Sequence, residues 1–96
     1  MPAYVIAHLE VTDPVAYEKY KVASPPTIAA AGGRYIARGG DLTVLEGAHD
    51  GRRIVILEFP TLEAAKGWYD GDAYKAAREL RKACARNVTF LLVPGL

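Results

Sequence analysis

The sequence predicts an α+β domain in which strand, helix, strand, strand, helix and strand follow one another, both helices returning the chain to one sheet. Three observations carry that order. Residues 3–11 alternate in type as a half-buried strand does. Residues 53–59 hold the strongest β-forming run in the chain. Each of these runs leads directly into a helix-start signal, Asp13-Pro14 in one case and Thr61 with Glu63 in the other.

In Ala3–Val11 the residues Val5, Ala7, Leu9 and Val11 are apolar, while Tyr4, Ile6, His8 and Glu10 form a mixed face. Asp13 is then placed as a helix N-cap, with Pro14 at the first helical position, where its missing N–H costs nothing. The helix presents Ala16, Tyr20, Ala23, Thr27, Ile28 and Ala31 on one stripe and turns Glu18, Lys19 and Lys21 away. Ser24-Pro25-Pro26 is expected to break or kink it, because a residue before proline is pushed out of the α region. Ser24 would cap a second short segment that ends at Gly32-Gly33.

Arg34–Arg38 and Leu42–Glu46 read as two strand pieces either side of a bulge or tight turn at Gly39-Gly40-Asp41. A second turn at residues 47–51 leads into the strand Arg53–Phe59. The helix after Thr61 carries Ala65, Trp68 and Tyr69 on its apolar side, is interrupted at Asp70-Gly71 and restarts at Asp72. Ala73, Ala76, Ala77, Leu80, Ala83 and Cys84 continue the stripe; Asn87 is read as its end, and Val88–Val93 as the last strand.

Composition narrows the functional classes. Ninety-six residues make one domain, and 51% hydrophobic with 24% charged residues is too apolar for a disordered chain. Twelve basic against eleven acidic side chains leave a net charge of +1, which gives no field for nucleic acid or an acidic membrane. The single cysteine, Cys84, forms no intramolecular disulfide and builds no zinc site alone, and its place on the apolar stripe reads as a buried small hydrophobe. No apolar run approaches the roughly 18 residues of a membrane helix, and no leader pattern opens the chain, so a cytoplasmic protein is expected. His8 and His49 lack metal-motif spacing, and no phosphate loop, nucleophile elbow or dinucleotide fingerprint is present. Neither cofactor nor metal is expected.

Asp13-Pro14 with Tyr17 and Tyr20, then Gly32-Gly33-Arg34-Tyr35, Leu45-Glu46-Gly47, Glu58-Phe59-Pro60-Thr61, and finally Tyr74 and Arg81, run in order over nearly the whole chain. In this ordered set the sequence resembles the DUF1330-like family of bacterial domains of unknown function, within the dimeric α+β-barrel, ferredoxin-like superfamily. The double proline at 25 and 26 and Trp68 depart from the family pattern. The resemblance implies a ferredoxin-like βαββαβ protomer, with two interrupted helices on one face of an antiparallel sheet and the other face packed on a partner's sheet in a homodimer. Relatives in the superfamily include cofactor-free monooxygenases, muconolactone-type isomerases, haem-handling enzymes and proteins without assigned activity, and fold does not choose among them.

In that order of strands the apolar faces take the helices, which sends His8, Glu10 and Glu58 to the opposite face, with Arg34 and Arg38 reaching it from the second strand. His8 with Glu58 is the candidate catalytic pair, a general base beside a carboxylate; the alternative is a polar network across the dimer interface. Glu10, Tyr20, Arg34, Arg38 and Trp68 are the candidate ligand-binding residues. Trp68, Tyr69, Tyr17 and Tyr20 wall an aromatic pocket or simply fill the core, the second being favoured. Tyr74, Arg78 and Arg81 share one side of the second helix. They are read first as a solvated basic surface, and Tyr74 with Arg81 as ties to a neighbouring element. His49 is expected in solvent. The leading functional expectation is small-molecule binding between sheet and helices. The rivals are a cofactor-independent monooxygenase or isomerase acting on a small aromatic or enol-like metabolite, and a structural or assembly domain.

Overall fold

The computed structural model describes residues 1–96. Its elements are β1 (Ala3–Val11), α1 (Pro14–Ala30), β2 (Arg34–Arg38), β3 (Arg53–Phe59), α2 (Leu62–Asp70), α3 (Asp72–Lys82) and β4 (Ala85–Pro94). The four strands form one antiparallel sheet in the order β2-β3-β1-β4, and the helices cover one face of it. No helix is long and apolar enough to cross a membrane.

Alternation fixes the two faces. Ala3, Val5, Ala7 and Leu9 are buried under the helices together with Leu57 and Phe59. Ile28 of α1, Ala65 and Trp68 of α2, and Tyr74 and Ala77 of α3 close the core from the other side. A fully buried Phe59 or Leu9 contributes about 1.5–3 kcal/mol by leaving water. Asp13 caps α1 through its Oδ1, which accepts from the Ala16 amide at 3.1 Å, and Thr61 caps α2 by accepting from the Ala64 amide at 3.0 Å. Both caps were legible in the sequence, as was the interruption at Asp70-Gly71 that separates α2 from α3.

Four expectations need correction. First, α1 runs unbroken through Pro25 and Pro26, and Ser24 caps nothing: it lies buried on the helix face that meets the sheet, with Tyr17, Tyr20 and Ile28. Pro25 removes the amide that would bond the Lys21 carbonyl. Arg38 supplies the missing donor, its Nη2 lying 2.7 Å from that oxygen. Second, Leu42–Glu46 is not a strand. Its residues are strand-like, but nothing within the chain lies alongside to pair their backbone, and the segment stays exposed, Leu45 at 95%. Third, the last helix ends at Lys82, not at Asn87. Asn87 lies inside β4 with φ +52°, where the pairing of β1 and β4 shifts register between His8 and Glu10. Fourth, Tyr74 and Arg81 are not on a solvated surface; they are 0% and 6% exposed.

Candidate functional site

The uncovered sheet face carries most of the charged residues singled out in the sequence, in separate pairs. Arg34 Nε donates to Glu58 at 2.8 Å, and Arg86 Nη2 donates to Glu10 at 2.8 Å. Each guanidinium holds its carboxylate below the usual range. His8 stands opposite Ile54 and Thr89, whereas Glu58 stands opposite Tyr4. Four residues of strand separate the two levels, about 13 Å, so His8 and Glu58 are not a pair. His8 instead accepts at Nδ1 from Arg52 Nη2 (3.5 Å), and its ring lies 6.1 Å from that of His49. Arg52 is held in place by Asp50 (2.8 Å), the Asn87 carbonyl and the Thr89 hydroxyl (both 3.0 Å). His49 is half-buried rather than solvated, with Nδ1 accepting from the Gly51 amide.

Between these charged pairs the face is apolar. Tyr4, Ile6, Ile54 and Ile56 form its centre, and Leu91 and Val93 of β4 extend it at 49% and 40% exposure. A contiguous apolar patch of this kind on a sheet face is characteristic of an interaction surface.

Arg38 is not on this face. β2 and β3 slip by one residue between Tyr35 and Ala37, so that Arg38 aligns with Val55, whose side chain packs on the helix side. An extra residue in one strand inverts every side chain beyond it. The bulge therefore carries Arg38 over the edge to the helix side, where its guanidinium lies 4.5 Å from the Tyr35 ring and reaches α1.

There it meets a crevice between the sheet and α1. Apolar side chains of β1, β3, α1, α2 and β4 form its floor and walls, Leu9, Val55, Leu57, Ile28, Trp68 and Phe90 among them. Four hydroxyls line it, from Tyr17, Tyr20, Ser24 and Tyr35, and so do three cations, Lys21, Arg38 and Arg53. No carboxylate does. Its volume is about 20 Å³, room for about one water. Tyr35 donates to Ser24 Oγ at 3.4 Å, and Trp68 Nε1 donates to Thr27 Oγ1 at 3.0 Å. Thr27 in turn donates to the Ser24 carbonyl at 2.7 Å, which anchors the proline segment to α2.

Arg53 is half-buried, donates to the Arg38 carbonyl at 3.3 Å and lies 5.6 Å from the Tyr17 ring, while its Nε has no partner. Its guanidinium lies against Gly39, where φ is +71°. That left-handed backbone favours glycine at the turn.

Of the candidate ligand residues, Tyr20, Arg38 and Trp68 come together at this crevice; Glu10 and Arg34 lie on the opposite face. Sequence reasoning missed Arg53, Tyr35 and Ser24 as lining residues. Arg53 carried a readable signal, since counting back by twos from Phe59 through Leu57 and Val55 places it on the helix face.

A four-stranded antiparallel sheet in this order, with helices on one face, defines a ferredoxin-like α+β protein. Solved structures share the fold at low identity. RPA0582 of Rhodopseudomonas palustris, of unknown function, is 20% identical, with a TM-score of 0.78 over 99% of this chain and 82% of that one. A dimeric ferredoxin-like protein of unknown function from Thermobifida fusca is 19% identical, with a TM-score of 0.71 over 99% and 92%. SnoaB of Streptomyces nogalater, a cofactor-independent oxygenase, is 10% identical, with a TM-score of 0.67 over 99% and 93%. No curated protein matches the chain. The chain belongs to the family described as domain of unknown function DUF1330, whose family model matches residues 2–96.

Proposed function

We propose that the protein binds a small organic anion in the crevice between the sheet and α1, and does so as a homodimer closed over the uncovered sheet face. The observation that carries the binding reading is the lining: three cations and four hydroxyls on an apolar floor, with no carboxylate to neutralise them. Pockets of mostly apolar walls and a few convergent polar groups are where small ligands bind. At about 20 Å³ the crevice holds no organic molecule as it stands, so binding has to displace the Arg38 side chain, which is exposed at its mouth. A flat anion fits best, its ring against Tyr17 and Trp68 and its charge between Arg38 and Arg53.

The test is an NMR titration with benzoate and, in parallel, benzamide. Benzoate is expected to shift Trp68 Nε1 and the Tyr17 and Tyr20 rings saturably, benzamide to shift them weakly, and Arg53→Met to abolish the difference. Equal responses to both probes, or none, would leave a structural or assembly domain as the better reading.

The low-carboxylate lining also suits an enolate, which favours a second reading, a cofactor-independent oxygenase or isomerase; SnoaB offers a precedent for the first on this fold. His8 and Glu58 have no part in that reading, since both face away from the crevice. Consumption of an enol-like substrate that stops with Tyr20→Phe would establish it.

A further inference from the structure

Arg81 is a buried cation without a carboxylate. It is 6% exposed, it forms no ion pair, its Nε has no partner, and its guanidinium carbon sits 4.6 Å from the centre of the Phe90 ring. Its one side-chain partner is the Tyr74 hydroxyl, 3.3 Å from Nη1. Tyr74, fully buried, lies hydroxyl to hydroxyl with Tyr20 at 2.7 Å, and Tyr20 lines the crevice.

The charge of Arg81 biases the direction of hydrogen bonding among these three side chains. A guanidinium only donates, so the Tyr74 oxygen accepts from Arg81. A hydroxyl that accepts from a cation becomes the stronger donor and the weaker acceptor, which favours the Tyr74 proton toward the Tyr20 oxygen. The Tyr20 proton is then free to point away from Tyr74, toward the crevice that Tyr20 lines. Successive bonds in such a chain polarise one another, and low dielectric strengthens the effect.

We infer that Arg81 and Tyr74 are positioning residues that fix Tyr20 as a polarised hydrogen-bond donor into the crevice, so that the ligand meets Tyr20 with an anionic or carbonyl oxygen. This rests on the binding reading above and narrows it: a ligand that offers only donors to Tyr20 is excluded, and a carboxylate or enolate oxygen is favoured. Burial raises the pKa of both phenols.

The relay is testable without ligand. Trifluorotyrosine placed at position 20 reports its own ionisation by fluorine NMR in a pH range below that of ordinary tyrosine. Tyr74→Phe removes the donor and should raise the Tyr20 pKa by about one unit or more, the worth of one hydrogen bond to a charged oxygen. Arg81→Met should raise it by a smaller amount, and Arg81→Lys should restore part of the loss. Tyr74→Phe is isosteric, so the test survives if Arg81→Met fails to fold. A Tyr20 pKa that falls or stays fixed in Tyr74→Phe would overturn the relay.

Benzoate supplies the ligand half. Tyr20→Phe should weaken its binding by about tenfold, and Tyr74→Phe by less, if each loses a charge-assisted bond or its polarisation. Benzoate binding equally to Tyr20→Phe overturns the assignment of Tyr20. If the relay shifts occur while wild-type protein fails to bind benzoate, the crevice reading and the ligand half fall together and the relay stands.

Discussion

Arg38 donates a 2.7 Å hydrogen bond to the Lys21 carbonyl, the oxygen that Pro25 deprives of its helical partner. The first of two prolines in the middle of a 17-residue helix is thus compensated from the sheet edge, across 17 positions of sequence. The same guanidinium stands at the mouth of the crevice, so helix integrity and the crevice entrance share one side chain. Arg38→Met should cost about 1 kcal/mol, the usual worth of such a bond, and lower Tm by about 4–8 °C. In a Pro25→Ala background the Lys21 carbonyl regains an amide, and the same substitution should cost close to nothing. Thermal melts of the four variants decide the matter. Equal costs in both backgrounds would show that Arg38 acts on stability by another route.

Closure of the uncovered face into a dimer predicts a different response at Ile56. Its neighbours in register are Ile6 and, across the bulge, Ala37, so a carboxylate placed there would be buried against a partner's apolar sheet. Ile56→Glu should convert the protein to a folded monomer, with circular dichroism retained. Light scattering at micromolar concentration measures this, and a wild-type monomer would refute the dimer outright.

The two ion pairs at the rim of that face set an acid limb. The folded-state pKa values of Glu58 and Glu10 lie below the ordinary carboxylate value, because Arg34 and Arg86 bond to their ionised forms. A depressed pKa contributes stability that is present above the unfolded-state value and is lost as pH falls through the folded one. Both pairs are exposed, so the contribution is small and weakens with salt. Denaturant unfolding across the carboxylate range should therefore show a shallower acid loss in Arg34→Ala and Arg86→Ala than in wild type at low ionic strength. Parallel curves for all three proteins would assign the acid limb elsewhere.

What the sequence disclosed depended on the range of the physics involved. The faces of β1 and β3, the caps at Asp13 and Thr61 and the break at Gly71 are set by a few adjacent residues, and alternation or capping chemistry reveals them. The separation of His8 from Glu58 depends on register between strands whose facing residues, such as His8 and Ile54, are 46 positions apart in sequence, which no local pattern states. The position of Arg38 depends on a bulge in β2, unmarked by any glycine or proline within Arg34–Arg38. Pro25-Pro26 obeys the local rule against helices only until a distant donor is counted. The burial of Arg81 was not legible from apolar spacing. The buried stripe of the last helix and the turn after it is Tyr74, Ala77, Arg81 and Cys84, whereas apolar spacing selects Ala73, Ala76, Ala77, Leu80, Ala83 and Cys84, of which only Ala77 and Cys84 are buried.

Two glycines with ordinary backbone angles should respond oppositely to alanine, because one faces the core and the other solvent. At Gly33, between α1 and β2, a Cβ would lie 2.6 Å from Cε1 of Phe59 and 3.0 Å from Cγ2 of Ile28. Phe59 and Ile28 are 0% and 2% exposed and packed on all sides, and Phe59 stacks on Trp68 at 5.1 Å, so neither ring nor branch has space to withdraw. Gly33→Ala should lose about 1–3 kcal/mol, the usual cost of an extra methyl in a filled core. Gly67 lies within α2, exposed, with nothing within 4 Å of its prospective Cβ. Alanine there restricts the unfolded chain and suits the helix, so Gly67→Ala should gain about 0.5–1 kcal/mol. Urea unfolding of the two variants beside wild type reads both signs at once. A neutral Gly33→Ala would mean that the Phe59–Trp68 stack yields to pressure from α1, and the crevice beside it would then open more easily than its closed walls imply.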